Sequence, residues 1–420
     1  ENAAILTIDG VGEWATASIS HGTGKEIRLL RELKFPHSLG LLYSAFTYFL
    51  GFRVNSGEYK LMGLAPYGNP DSPLVDEYVQ KIKSELIEIR DDGSIWLDQK
   101  YFDYATGLKM VKEGKWEELF GFPKREDESE LQQHEADLAL AIQIVTEEIV
   151  LKMAKTAKEL TGAKALCLAG GVALNCVANG KLQNAGIFDE IYIQPAAGDA
   201  GGAVGGALAA HYLYFGNERI IERPDSMNGA YLGPEYHPID VQRAMKPFKA
   251  VYDEFPGDEL YPKVAELLDD GNVIGWFQGR MEFGPRALGS RSIIADPRRV
   301  DMQKKLNLKI KYRESFRPFA PSVLIEEAEK YFELQSDSPY MLLVQPVKEG
   351  IRSEVPEGYH QMPLREKLAV KRSELPAITH IDFSARIQTV HQETNPRYWK
   401  MINAFNERTG CGMVVNTSFN

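Results

Sequence analysis

At 420 residues the chain exceeds one ordinary core, so two or three domains are expected, and 44% hydrophobic with 25% charged residues is a globular balance that excludes extended disorder. A net charge of -11 disfavours a general nucleic-acid or anionic-membrane binder but leaves room for a local basic pocket. No apolar run reaches membrane-spanning length and no signal peptide precedes the first strand; Cys167, Cys176 and Cys411 lack metal-ligand spacing, as in reduced core residues of a cytoplasmic protein. The chain opens at Glu1 without Met and stops at Asn420 inside a motif, so a piece of a longer protein is expected.

Ala4 to Ile8 reads as an apolar strand, followed by the turn Asp9-Gly10-Val-Gly12-Glu13 and a second strand over Ala15 to Ile19. Such a turn can hold a metal or phosphate; a plain Asp-Gly hairpin is the competing reading. Leu39 to Leu50 carries leucines and aromatics at helical spacing and predicts a core helix. In Asn55-Ser56-Gly57-Glu58-Tyr59-Lys60-Leu-Met-Gly63 the lysine lies between glycines, where its ammonium could reach a phosphate, a carboxylate or only solvent. Residues 71–132 predict helices without recognisable chemistry. Glu135 to Leu160 predicts the clearest helix, with Leu138, Ile142, Val145, Ile149, Met153 and Leu160 on one face.

Ala165 to Ala169 then reads as a buried strand ended by Gly170 and Gly171, after which helical spacing resumes. The glycines let backbone approach a ligand, the helix start offers free N–H groups, and Asn175 supplies an amide one turn in. A matching unit follows: a strand over Ile191 to Gln194, the loop Pro195-Ala-Ala-Gly-Asp199, and a small-residue helix from Gly201 to Tyr214. Both loops are expected on the same side of one sheet, as a nucleotide or anion cradle. The competing readings are tight turns without a ligand and Asp199 as a helix N-cap. The element order predicts a layered α/β domain over 1–220.

Residues 221–238, rich in Gly, Pro and Tyr from Arg223 onward, read as a linker to a second α/β module over 239–420. There Val241 to Ala250 and Leu260 to Leu268 predict helices and Asn272 to Gln278 a strand. From Arg280 to Arg317 eleven Lys and Arg face four Asp and Glu, a local +7 against -18 for the remainder. These cations are interleaved with Gly, Pro and Phe, which suits a structured polyanion pocket more than a solvated face, and arginine presents a planar fork to phosphate oxygens. His380 and Asp382 would share one face of an extended strand, as structural residues or as a base pair of groups. A final strand ends in Asn416-Thr417-Ser418-Phe419-Asn420, small polar groups fit for a buried ligand or for an ordinary strand end.

Together these segments resemble the NodU/CmcH family of O-carbamoyltransferases, which includes the tobramycin and 3-hydroxymethylcephem enzymes. The matching stretches are Thr7-Ile-Asp-Gly-Val-Gly-Glu13, Lys60-Leu-Met-Gly-Leu-Ala65, Ala169-Gly-Gly-Val-Ala-Leu-Asn175, Gly284-Pro-Arg-Ala-Leu-Gly-Ser-Arg-Ser292, Arg317-Pro-Phe-Ala-Pro-Ser322, Asn395-Pro-Arg-Tyr398 and Asn416-Thr-Ser-Phe-Asn420, in family order along the chain. The resemblance implies an actin-like, threonylcarbamoyl-transferase-like module followed by a threonylcarbamoyl-adenylate-synthase-like (YrdC-like) module. The second would form carbamoyl-adenylate from carbamoyl phosphate and ATP with release of pyrophosphate. The first would pass the carbamoyl group to a hydroxyl of a small-molecule acceptor such as a secondary metabolite or glycan.

Carried over by position, the resemblance implies Arg286, Arg291, Lys311 and Arg317 as the catalytic anion site, with Asn416 and Ser418 beside it. Gly10, Lys60, Gly170, Gly171 and Asn175 would bind the adenylate, and Asp9 and Asp199 would hold a metal, Fe(II) or another divalent ion, with Mg accompanying ATP. The family's paired histidines should lie upstream of Asp9 and are absent from this sequence, so the resemblance implies a chain lacking the first actin-like lobe and the extreme C-terminus. No nucleic-acid or membrane partner is expected, and a homodimer is a fair expectation. An actin-like kinase and a threonylcarbamoyladenosine-type tRNA-modification enzyme are the rival readings.

Overall fold

The computed structural model describes residues 2–127, 129–220, 225–313 and 316–419. Residues 221–224 of the expected linker and Asn420 of the tail motif lie outside the described residues. The chain is mixed α/β and separates into two compact units, Glu1–Ile220 with Val355–Val370, and Ile221–Glu354 with Lys371–Asn420.

In the first unit β1 (Asn2–Ile8), β2 (Ala15–Thr23) and β3 (Glu26–Lys34) form an antiparallel meander. A small ladder of β4 (Ile87–Ile89) and β5 (Ile95–Leu97) stands apart, while β6 (Ala165–Ala169) and β7 (Glu190–Ile193) run parallel to β1. The sheet order is β3-β2-β1-β6-β7. Alternation explains β1: Ala4, Leu6 and Ile8 are buried on one face. The predicted turn after it is a loop over residues 9–14 rather than a two-residue hairpin turn.

The helix Leu39–Phe49 is a core helix as expected, packing Phe46 and Phe49 against Trp116 and Phe120. The longest helix spans Gln133–Thr161, started by a Gln132–Glu135 capping box and ended by Gly162 in the left-handed region. Leu138, Ile142, Val145, Ile149 and Met153 are buried, and the stripe continues to Ala157; Leu160 falls off it and is 39% exposed. The small-residue helix appears as Gly201–Ala209 with a wider turn Ala210–Tyr214, and none of its side chains is buried.

The second unit holds a six-stranded sheet of β8 (Ile274–Phe277), β9 (Arg291–Ala295), β10 (Ala320–Leu324), β11 (Leu343–Pro346), β12 (Ser384–Val390) and β13 (Met413–Ser418). Its order is β11-β12-β10-β13-β9-β8, with β10 parallel to β12 and the other neighbours antiparallel. Val264, Ala265 and Leu268 of the helix Leu260–Asp269 join Tyr398, Met401, Ile402 and Phe405 of the helix Pro396–Thr409 in the core.

Three expectations change. The linker stretch is built into the second unit from Asp225 onward: Met227, Gly229 and Ala230 are buried, and Phe283 N donates to Ala230 O at 2.7 Å. Residues 239–420 are not one contiguous module, because Val355–Val370 belongs to the first unit, where buried Lys367 donates to Tyr67 O at 3.3 Å and Arg365 pairs with Glu130 at 2.9 Å. His380 and Asp382 are not on a strand, since β12 begins at Ser384. They sit in the preceding turn, where Asp382 Oδ1 accepts from Ser384 N and Oγ.

Gly170 has φ +91°, and a Cβ there would lie 2.2 Å from Ile8 O; Gly202 lies in an exposed helix with nothing within 4 Å of its Cβ position. Gly170→Ala is expected to cost about 2–4 kcal/mol in urea unfolding, whereas Gly202→Ala stabilises by about 0.5–1 kcal/mol. Equal effects would contradict this packing of β6 on β1.

Candidate functional site

Because β1, β6 and β7 are parallel, their C-terminal ends open on one edge of the first sheet, the place where ligands bind in open α/β sheets. Asp9 follows β1 there. Its Oδ1 accepts from Gly10 N at 2.8 Å and from Gly171 N at 3.0 Å, joining the first loop to the second. Gly170 N donates to Ala197 O at 2.9 Å, joining the second loop to the third. The start of the helix Leu39–Phe49 closes on the same point, where Ser38 Oγ reaches Gly10 O at 2.6 Å. A Cβ on Gly40 would lie 2.6 Å from Asp9 O, so only glycine allows that approach.

These contacts frame a cavity of about 220 Å³ lined by Asp9, Gly10, Gly171 and Asn175 together with Tyr43, Ser44, Asn55, Glu58, Tyr59 and Met62. Asn175, in the cavity wall, is held by the fold. It caps the helix Cys176–Asn184 and exchanges hydrogen bonds with Gln143, Nδ2 to Oε1 at 3.0 Å and the return bond at 3.2 Å. Tyr43 Oη donates to the same Gln143 Oε1 at 3.0 Å, and burial followed by Glu147 raises its phenol well above the usual range, so it is a hydrogen-bond donor at neutral pH.

Lys60 does not line this cavity. It lies in the helix Glu58–Leu64 with its ammonium 5.8 Å from the Phe52 ring. The helical turn brings Glu58 and Tyr59 to the cavity instead, and Glu58 Oε1 accepts from Ser44 Oγ at 2.8 Å and Asn55 N at 3.0 Å. The segment around Lys60 thus contributes Glu58 and Tyr59, not Lys60, to the cavity wall. Asp199 is exposed on the third loop and does not line the cavity, and the N-cap of Gly201–Ala209 is Ala200, without a side-chain bond. Among the described residues no group of three His, Cys, Asp or Glu could hold a metal. Asp9 and Asp199 supply two carboxylates, fewer than the roughly three protein ligands of a typical catalytic metal centre. They do not by themselves fit iron.

The second cluster lies in the other unit, at the C-terminal end of β13. Residues 320 and 416 are partners in the β10–β13 ladder, and 292 and 418 in the β9–β13 ladder, so Arg317, Arg291 and Ser418 all fall at this end. Lys311 ends the helical turn Leu306–Lys311, and its Nζ donates to Ser418 O at 2.6 Å. Burial, then the neighbouring Arg313 and Arg317, push the Lys311 ammonium down to about 8. The loop Gly279–Ser290 joins the cluster through Asn416, whose Nδ2 lies 2.9 Å from Ala287 O. Arg286 sits three residues into the predicted Gly284–Ser292 motif, on this loop and half-buried.

Other cations of the basic segment are committed to the fold. Arg291 stacks on Phe277 at 3.5 Å and donates to Gln278 O, Ser290 O and Gly279 O. Arg298 pairs with Asp296 and Asp269, and Lys305 donates to Gly271 O. Asn416 is 1% exposed and also reaches Ser322 Oγ at 2.9 Å and Gln388 Oε1 at 3.0 Å, so it braces the sheet.

Residues 1–208 match the family model described as Carbamoyltransferase N-terminus, and residues 265–420 that described as Carbamoyltransferase C-terminus. The chain belongs to the carbamoyltransferase family. Its relatives include the uncharacterized protein sll1178 of Synechocystis sp., 56% identical over 100% of this chain and 68% of that protein. The nodulation protein NolNO of Sinorhizobium fredii is 39% identical over 100% of this chain and 56% of its own length. The 3'-hydroxymethylcephem-O-carbamoyltransferase of Amycolatopsis lactamdurans is 31% identical over 67% of this chain and 47% of its own. The chain thus spans about half to two thirds of the length of these relatives. Among the described residues no helix is long and apolar enough to cross a membrane.

A bound oxyanion favours the charged form of Lys311, so its affinity should be level below the free pKa of about 8 and fall as pH rises through it. Calorimetric titration with carbamoyl phosphate is expected to show roughly a tenfold loss between pH 7.5 and 9.5 in this carbamoyltransferase, and Lys311→Arg, which stays charged, should flatten that profile. A wild-type profile level to pH 10 would contradict the placement of Lys311 at the anion.

Proposed function

We propose that this carbamoyltransferase is an ATP-dependent O-carbamoyltransferase whose second unit makes carbamoyl-adenylate and whose first unit delivers the carbamoyl group to a hydroxyl of a small-molecule acceptor. The observation that carries the reading is the crowding of positive charge at the end of β13. Burial first, and then the neighbouring Arg313 and Arg317, depress the Lys311 ammonium, and a bound phosphoryl or carbamoyl oxyanion would offset both.

Carbamoyl phosphate first loses its phosphoryl group to water, giving carbamate and inorganic phosphate. A carbamate oxygen then attacks the α-phosphorus of ATP, the α–β bridging bond breaks, and pyrophosphate leaves. Fixed cations at this edge offset charge gathering on the equatorial oxygens, the largest lever the protein has over phosphoryl chemistry. Transfer follows when the acceptor oxygen attacks the carbamoyl carbon and AMP departs. The cavity at the edge of the first sheet, with Asp9 and Glu58 in its wall, is the place for that hydroxyl and its proton. The antiparallel meander continued by two parallel strands supports an actin-like reading of the first unit, and the six-stranded mixed sheet supports a YrdC-like reading of the second. An acceptor among nodulation factors or antibiotics is supported by the names of the relatives alone.

ATP–pyrophosphate exchange tests the reading. Exchange should require carbamoyl phosphate and fall about 100-fold in Arg286→Ala, the scale of losing one oxyanion donor. Exchange that proceeds without carbamoyl phosphate, or is untouched by the variant, would overturn it.

A further inference from the structure

The loop that carries Arg286 is fixed at its base by an unusual use of a carboxylate. Glu282 Oε1 accepts three backbone N–H groups from the far side of the loop: Leu288 at 2.7 Å, Ser290 at 2.9 Å and Arg291 at 3.2 Å. The carbonyls between them are also held. Leu288 O accepts from Tyr231 Oη at 2.6 Å and Gln388 Nε2 at 2.9 Å, Gly289 O from Gln278 Nε2 at 2.8 Å, and Ala287 O from Asn416 Nδ2. Gly289, at φ +101°, lies against the Tyr398 ring, where a Cβ would sit 2.2 Å from a ring carbon. The backbone is therefore locked from Ala287 to Arg291, while Gly284 and Pro285 at the apex are exposed.

The geometry points to Glu282 as a positioning residue for the anion site: its carboxylate sets the path of the loop from Leu288 to Arg291 and so the place at which Arg286 stands beside the end of β13. Charge argues against a simpler electrostatic role, because a carboxylate near an anion site repels the ligand. Its negative charge is instead spent on three N–H donors, the charge-assisted bonds a loop base can use best. The inference rests on the carbamoyl-adenylate reading of this unit and adds to it the group that orients its arginine.

The test is ATP–pyrophosphate exchange on the complete protein, with carbamoyl phosphate and ATP varied separately. Glu282→Ala should raise the KM for carbamoyl phosphate at least tenfold, leave the KM for ATP within twofold, and leave the unfolding midpoint within a few degrees. Glu282→Gln, which keeps the accepting oxygen and the shape, should recover most of the loss and covers the case in which the alanine variant fails to fold. Proportional loss of every parameter together with the midpoint, in both variants, would mean a merely structural clamp. An unchanged KM for carbamoyl phosphate would also overturn the inference. A lower KM would do so in another way, since the three N–H groups would then be a ligand site that Glu282 blocks. Wild-type protein without carbamoyl-phosphate-dependent exchange would instead remove the reading on which the inference stands.

Discussion

One amide ties the second unit together. Asn416 Nδ2 lies within 3.0 Å of Ala287 O, Ser322 Oγ and Gln388 Oε1, so a single side chain on β13 meets the arginine loop, β10 and β12. The group is buried, where an unmet donor would cost about 1–3 kcal/mol, and each partner is therefore constrained to its place. The cation cluster at the end of β13 depends on that constraint. Ser418 is two residues further along the same strand and accepts from Lys311, and Arg317 approaches from the start of β10. Cations that would repel one another in a mobile loop are held in register by a neutral network beneath them.

The first unit uses a carboxylate for a comparable purpose. Asp9 Oδ1 joins two loops at the open edge of the parallel strands, and Gly40, Gly170 and Gly171 leave the space in which it can do so. A side chain at any of the three would meet Asp9 or Ile8 at 2.9 Å or less. Much of the glycine-rich sequence around β6 thus answers to packing of the protein on itself, and the ligand space is what remains beside it. Glu58 and Tyr43 give that space its polarity.

The strands around Gly170 and the helix Gln133–Thr161 were legible because each rests on local period and on a stop residue whose backbone requirement is severe. The basic segment was legible as a charge imbalance. The partners of its cations were not: Arg291, Lys305 and Lys311 donate to backbone carbonyls and Arg298 to carboxylates that only the fold brings to them. Lys60 and Glu58 show the same limit on a shorter scale, since the phase of one helical turn decides which faces the cavity. The excursion Val355–Val370 carried no signal, because its anchor is a buried lysine, a residue type that composition assigns to solvent.

We propose that a phosphoryl oxyanion is handled at the end of β13 and that an adenylate is made there. The most direct test is a single turnover with ATP and carbon-labelled carbamoyl phosphate, quenched and separated for carbamoyl-AMP, in wild type and Lys311→Ala. One carbamoyl-AMP per pyrophosphate is expected in the wild type and none in the variant. Carbamoyl transfer to an acceptor with no adenylate formed, or an undiminished adenylate in the variant, would contradict it.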